Sequence, residues 1–195
     1  MAGLLLVPAA AQPASAQDEG IKVHGEWVLE VRNPDGTLAM RAEFQNALTS
    51  AGRAFLPRVL AGERRVGRWG VLIAGTGDLC TSPELGWDAD DSLSLNFPES
   101  SARREDCALY DNNIPKFGLT VSSVGGAIVL SGAVTIDGGG TVTHVATNYL
   151  DCSTIADGCP WGPMASGAFS RRQLPQPISV SSGQVVQVTV RISFS

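Results

Sequence analysis

Basic residues are in the minority in this chain, and it has no long apolar run. Its 195 residues include 14 Lys and Arg against 19 Asp and Glu, which gives a formal net charge of −5. A nucleic-acid-binding protein needs a basic face to displace the counterions of the phosphate backbone. A membrane span needs about 20 consecutive apolar residues. We therefore expect neither a nucleic-acid partner nor a transmembrane helix.

Residues for acid–base and metal chemistry are also scarce. The only histidines are His24 and His144, and no Gly-x-Ser-x-Gly nucleophile elbow accompanies either of them. His24 lies on the polar side of an alternating segment, which predicts a solvated ring. His144 lies on the same side of its segment as Val142 and Ala146, which predicts a partly buried structural ring. The GTGD turn at residues 75–78 lacks the Lys-Ser/Thr that follows in a phosphate-binding loop. We expect no catalytic residue, no metal and no cofactor.

Glycine and strand-favouring patterns are abundant instead. The chain has 22 Gly and 11 Pro but only 17% charged residues, a balance typical of short strands joined by tight turns. Apolar and polar residues alternate cleanly from Ile21 to Val31 and again from Val186 to Phe194, so the chain ends inside a strand. The NPDG sequence at 33–36 predicts a hairpin turn. The sequence predicts an all-β fold, an antiparallel β-sandwich of about 7–8 strands with one short helix.

The helix is predicted after Asn46, where the apolar spacing changes. Thr49 or Ser50 is the expected N-cap and Gly62 the expected stop. Pro57 lacks a backbone donor, so we expect it to kink this helix or to restrict it to two short turns. Further along, three strands in succession between residues 117 and 148 are predicted to form a meander.

The N-terminal residues predict export. A short apolar stretch is followed by Ala14-Ser15-Ala16, which has small residues at the positions that a signal peptidase reads. The basic residues that normally precede such a stretch are missing, so the start of the signal is expected further upstream. We predict a signal peptide at 1–16 and a single secreted domain at 17–195. The least regular part, residues 75–115, is predicted to be a long surface loop.

Four cysteines in an exported chain predict two disulfides. We expect the pairs Cys80–Cys107 and Cys152–Cys159, because the first ties the long loop to itself and the second closes a short loop. Crossed pairing is the alternative. The spacing of these cysteines lacks the close pairs of a zinc site, so we expect no metal there.

One stretch within the long loop partly matches a calcium-binding loop. The oxygen-bearing residues from Asp88 to Glu99 fall at the spacing of such a loop. However, Leu93 occupies the place where the loop requires Gly, and the prolines Pro83 and Pro98 disfavour the flanking helices. The alternation of Leu93 and Leu95 is also typical of a strand, which is the interpretation that we favour.

Several stretches together resemble a family of small phage tail and tail-fibre proteins. They are FQNALTSAGRAFLPRVLAG at 44–62, WGVLIAGTGD at 69–78, GGGTVTHV at 138–145 and ISVSSGQVVQVTVRISFS at 178–195. The chain departs from the family at His144 and at Ala146-Thr147, where a Glu and a Gly-Leu are common. The resemblance implies a structural or receptor-contacting β-domain without catalysis. Because a virion part needs neither export nor disulfides, a secreted relative fits better.

We therefore expect an exported structural or adhesive subunit. It would assemble with copies of itself, as a trimer or a filament, or decorate an extracellular or phage-tail-like appendage. The alternative is a secreted carbohydrate-binding module, or a glycoside-active enzyme with its carboxylates in the 80–115 loop. Four aromatic residues in or beside the irregular segments would bind a surface glycan: Trp87, Tyr110, Tyr149 and Trp161. Clustering on one surface would support this alternative, and burial would remove it.

Overall fold

A computed structural model describes residues 22–80, 107–110, 118–152 and 165–195. These residues form an antiparallel β-structure with one helix. The helix is α1 (Ser50–Leu60). The strands are β1 (Val23–Arg32), β2 (Leu38–Leu48), β3 (Arg65–Asp78), β4 (Cys107–Tyr110), β5 (Leu119–Val124), β6 (Ala127–Thr135), β7 (Gly139–Cys152), β8 (Ala165–Ser181) and β9 (Val185–Phe194). The all-β prediction is confirmed.

The strands form one sheet that curls into a half-barrel, which corrects the predicted sandwich. Their order across the sheet is β4-β3-β7-β8-β2-β1-β9-β6-β5. Strand β2 joins the two halves, because its first part pairs with β1 while Ala47 and Leu48 pair with Arg171 and Ser170 of β8. A strand shared in this way keeps the backbone ladder continuous, so the two layers are halves of one sheet.

The core lies inside the curl and draws on both halves of the sheet. Alternate residues of β1 and β9 face inwards, and Trp27 and Leu29 are each 1% exposed opposite Val190 and Val188. From the other half, Ile73 and Val145 join the same cluster. Burying each such side chain stabilises the fold by roughly 1.5–3 kcal/mol before the entropy cost. The clean alternation of the terminal strands therefore reflects one face in the core and one in solvent.

Strand β9 is an interior strand, as is β1. β9 pairs with β1 on one side and with β6 on the other, and β1 pairs with both β2 and β9. The predicted meander is wrong in its last step: β5 and β6 form a hairpin, but β7 crosses to the other half and pairs with β3 and β8. Apolar alternation identifies a strand but not the strand with which it pairs. Sequence order was therefore a poor guide to strand pairing here.

Helix α1 extends over Ser50–Leu60 with Pro57 inside it, so Pro57 does not restrict it to two short turns. Thr49 is the N-cap, because its Oγ1 accepts a hydrogen bond from the Gly52 amide at 3.0 Å. Pro57 lies near the end of the helix, and its carbonyl accepts from the Ala61 amide at 2.8 Å. A missing donor so close to the C-terminus leaves the remaining turn intact.

The segment predicted as a loop from 75 to 115 contains two pieces of strand. β3 continues to Asp78, pairing with Gly139 of β7. β4 returns alongside β3, with Cys107 opposite Ile73. The rest of that range, residues 81–106 and 111–115, lies outside the described residues, as does the predicted signal peptide at 1–16.

Candidate functional site

Tyr149, the one predicted binding residue whose side chain is described, lies in the core. Its ring is 8% exposed and stacks on Phe55 of α1, with the ring centroids 3.8 Å apart. Phe169 meets it edge-on at 6.4 Å and also meets Trp69 edge-on at 5.2 Å. These four rings attach α1 to the sheet. Tyr149 therefore offers no ring to a surface glycan, because the helix covers this part of β7.

The other predicted glycan-binding residues are not brought together with Tyr149 by anything that the structure describes. Trp87, Trp161 and Cys159 lie outside the described residues. So does the stretch from Asp88 to Glu99 that partly matches a calcium-binding loop. Tyr110 pairs through its backbone with Gly70, and Cys152 pairs through its backbone with Arg65. The Cys152–Cys159 bridge remains a prediction.

The predicted bridge between Cys80 and Cys107 is present. The two Cα atoms are 5.3 Å apart, and both residues are almost fully buried. The bridge ties the residue just beyond β3 to the first residue of β4. It therefore holds the short β4 against the sheet, where Leu109 reaches the core.

Each histidine contacts a hydroxyl group. The exposed His24 has its Nε2 3.1 Å from the Ser195 hydroxyl, and the partly buried His144 has its Nδ1 2.9 Å from the Thr143 hydroxyl. No group of three or more potential metal ligands occurs among the described residues. In the same part of the chain, no helix is long and apolar enough to cross a membrane.

A buried polar cluster lies where β2 passes from one half of the sheet to the other. The Asn46 side-chain amide donates to the Ser170 hydroxyl at 3.2 Å, and that hydroxyl is 2.7 Å from the Thr147 hydroxyl. The adjoining recess, between Val23 and Leu48, has about 10 Å³ of space. That is enough for one water molecule and too little for a ligand. The cluster satisfies polar groups at the junction, which is a structural role.

The outer face of β1 and β2 carries an ion-pair network. The Arg32 guanidinium donates to Glu30 at 2.6 Å, and Arg41 bridges Glu30 and Glu43. The hydrogen bond from Arg32, its positive charge and the contacts of Arg41 hold the pKa of Glu30 below its ordinary value, against a smaller opposing effect of desolvation. Exposed ion pairs of this kind are typical of a solvated surface and contribute little to stability.

Strand β5 of the β5–β6 hairpin is largely exposed. Apart from the buried Leu119, every residue of β5 is exposed, including Val121 at 37% and Val124 at 54%. Within the described residues β5 pairs only with β6. A strand in this position presents a row of backbone N–H and C=O groups that can pair with another chain.

This hairpin also lacks the features that normally protect an edge. Residues 117–136 contain neither a charged residue nor a proline, whereas natural sheets block their edges with lysines, prolines or bulges. Sequence reasoning missed this surface because it searched for aromatic and titratable side chains. The signal was available as the long uncharged stretch in a chain of net charge −5. We name Thr120–Val124 the β5 edge.

Comparison with known proteins adds no match to this geometry. The chain matches no family model, no curated protein and no solved structure.

Proposed function

We propose that this chain is an exported structural or adhesive subunit that associates with copies of itself. The β5 edge is the observation that carries the proposal, because an exposed, uncharged strand at the end of a sheet is a template for pairing with another chain. The resemblance to phage tail and tail-fibre proteins supports the same role. The proposal assigns no catalytic function to the described residues.

Export is supported by the cysteine chemistry. A disulfide persists in oxidising compartments and is rare in the cytosol, and the Cys80–Cys107 bridge holds β4 in place. A protein displayed outside the cell needs a fold that withstands dilution and proteases. A cross-link at the sheet edge serves that need.

The alternative glycan-binding role receives no support from the described residues. Its aromatic platform needs exposed rings on one surface, and the ring of Tyr149 is buried beneath α1. We therefore retain the structural role as the proposal.

The self-association is tested by measuring the mass of the secreted protein with light scattering at micromolar concentrations. We expect a species larger than one chain, whose size falls on dilution. A monomer across the whole range would remove the assembly role. Reducing agent serves as a control, because association through strand pairing does not depend on an intermolecular disulfide.

The export is tested by N-terminal sequencing of the secreted protein, which we expect to begin at Gln17. Ala16→Glu places a charge where the peptidase accepts only a small side chain and should leave residues 1–16 attached. Ser15→Glu is the matched control, because the intervening position faces no such pocket. Equal processing of both variants would contradict the predicted cleavage site.

A further inference from the structure

We infer that the β5 edge pairs with the β5 edge of a second copy, antiparallel and about a two-fold axis that passes midway between the two Ser122 residues. The inference rests on the proposed self-association and names its surface, its partner and its register. It also sets the product: an isologous contact of this kind closes on itself as a dimer. A filament or trimer would have to use a different surface.

The turn of the hairpin determines which backbone groups face the open side. Val124 pairs with Ala127 across Gly125 and Gly126, both of which have positive φ. In a two-residue hairpin the residues flanking the loop exchange both of their hydrogen bonds. Val124, Ser122 and Thr120 therefore bond inwards to β6. The amides and carbonyls of Val121 and Ser123 face away from the sheet.

These outward groups define the register between two copies. The exposed stretch Thr120–Val124 has Ser122 at its centre. An antiparallel pair centred there places Val121 opposite Ser123 of the second copy, and Ser123 opposite Val121. The pairing forms about four backbone hydrogen bonds. It leaves Leu119 where it is, buried in the core.

The side chains and charges favour a second copy over a foreign partner. In this register Thr120 lies opposite Val124 of the other copy, and two β-branched side chains pack well across strands. Two chains that each carry −5 repel at long range, but they meet here through a stretch without charged side chains. The nearest strand beyond β6 contributes Arg191, whose backbone pairs with Val129 and whose guanidinium reaches the turn, where an added Cβ on Gly125 would lie 3.9 Å from its Nη2. Thr120–Val124 itself has no charged side chain, so a charged partner segment would find no counter-charge within the paired stretch.

Cysteine cross-linking tests the register directly. Two facing Ser122 residues form a non-hydrogen-bonded pair with Cα atoms about 4.5 Å apart, within the range that a disulfide spans. Under mild oxidation Ser122→Cys should therefore give a covalent dimer on a non-reducing gel. Thr120→Cys is the matched control: its two copies lie about 14 Å apart along the strand and should not cross-link. Cross-linking of neither variant, or of both equally, would overturn the inference.

A proline substitution tests the edge without an added thiol. Ser123→Pro removes an outward amide and keeps the bonds to β6, a position where edge strands accept proline. We expect the dimer dissociation constant to rise at least tenfold, with Ser123→Ala close to wild type and the thermal midpoint of all three proteins similar. If the wild-type protein associates but Ser123→Pro does so equally well, the inference fails and the proposed function stands. If the wild-type protein is monomeric, both fail.

Discussion

At the scale of single residues, the start of α1 shows why a short motif needs particular residue types at particular positions. Thr49 Oγ1 accepts from the Gly52 amide and donates to the Ala168 carbonyl, so one hydroxyl caps the helix and fixes it to β8. The close approach leaves no room at Gly52, where an added Cβ would lie 2.2 Å from the Phe169 carbonyl oxygen. The sequence identified the cap, but the need for glycine depends on a strand more than 100 residues away.

We predict that Gly52→Ala destabilises the protein by about 1–3 kcal/mol, because β8 must move to admit the methyl group. Helix propensity alone predicts the opposite sign, since alanine is favoured over glycine by about 1 kcal/mol in a helix. The free energy of unfolding in denaturant decides between them. The exposed Ala54→Gly provides the control and should lose about 1 kcal/mol. A more stable Gly52→Ala would show that the helix is not held against β8.

Glu30 is predicted to contribute stability that depends on pH. Its pKa in the folded protein is below the ordinary value of 4.5 because Arg32 and Arg41 favour the carboxylate. A lowered folded pKa means that the contribution is complete above pH 4.5 and is lost as the pH falls through the folded value. Glu30→Gln should therefore have a slightly lower thermal midpoint than wild type at neutral pH, and the difference should vanish in acid.

Glu26→Gln is the matched control for that measurement, because Glu26 lies on the same exposed face of β1 and no ion pair to it is seen among the described residues. It reports the effect of removing one negative charge that forms no such ion pair, although Arg191 of β9 lies opposite it in the ladder. A difference between Glu30→Gln and wild type that grows as the pH falls would contradict the assigned sign.

At the scale of elements, the sequence predicts best those strands that have one face in the core and one face exposed to solvent. β1, β2 and β9 alternate because each packs its inner side chains on the core. β7 was harder to predict from pattern: Val145, Ala146 and Thr147 are consecutive and all buried, so alternation is lost. The strand pairing was not predictable from the sequence. β2 pairs with both halves of the sheet, and β7 pairs in the half opposite β6, because of packing across the curl.

The candidate site was predicted less well than the fold, for a related reason. Tyr149 was chosen as an aromatic residue beside an irregular segment, but Phe55 of α1 covers it. The β5 edge has only Thr, Val and Ser side chains, which carry no chemical signature. Its importance comes from its place at the end of the sheet, and this place depends on the whole strand order.

Val190→Lys should disrupt the interior strand β9. Val190 is fully buried between Trp27 of β1 and Leu130 of β6. An unpaired charge there costs at least about 3 kcal/mol, so we expect unfolding or a greatly lowered midpoint by circular dichroism. Thr189→Lys is the control, because the adjacent side chain points to solvent and should change stability by less than about 0.5 kcal/mol. Equal effects of both would show that β9 does not face the core as described.

The Cys80–Cys107 bridge should stabilise the fold by about 2–4 kcal/mol, because it closes a long loop in the unfolded chain. We expect a double variant, Cys80→Ala with Cys107→Ala, to lose that amount in denaturant. Reducing agent should lower the stability of the wild type by more than it lowers that of the variant. An equal response of the two proteins would mean that this bridge does not stabilise the fold.

At the scale of the whole molecule, the curl makes one cooperative unit out of two halves of a sheet. The backbone link between the halves is slight, since β2 and β8 share only two paired positions. The core compensates: Trp27 in β1 and Trp69 in β3 belong to the same buried cluster although their strands lie in opposite halves. Each half shields the apolar inner face of the other from solvent. Separating the halves would therefore expose most of the apolar surface that stabilises the fold.

We therefore predict that the halves unfold together, and the two buried tryptophans allow this to be measured. Trp69→Phe leaves Trp27 to report on the β1 half, and Trp27→Phe leaves Trp69 to report on the β3 half; the remaining tryptophans, Trp87 and Trp161, are common to both variants. Within each variant, the denaturation curves from fluorescence and from far-ultraviolet circular dichroism should superimpose, as two-state unfolding requires. Comparing probes within one variant removes the effect of each substitution on stability. A fluorescence midpoint that departs from the circular dichroism midpoint in either variant would show that the short β2–β8 junction is a boundary between two independently unfolding units.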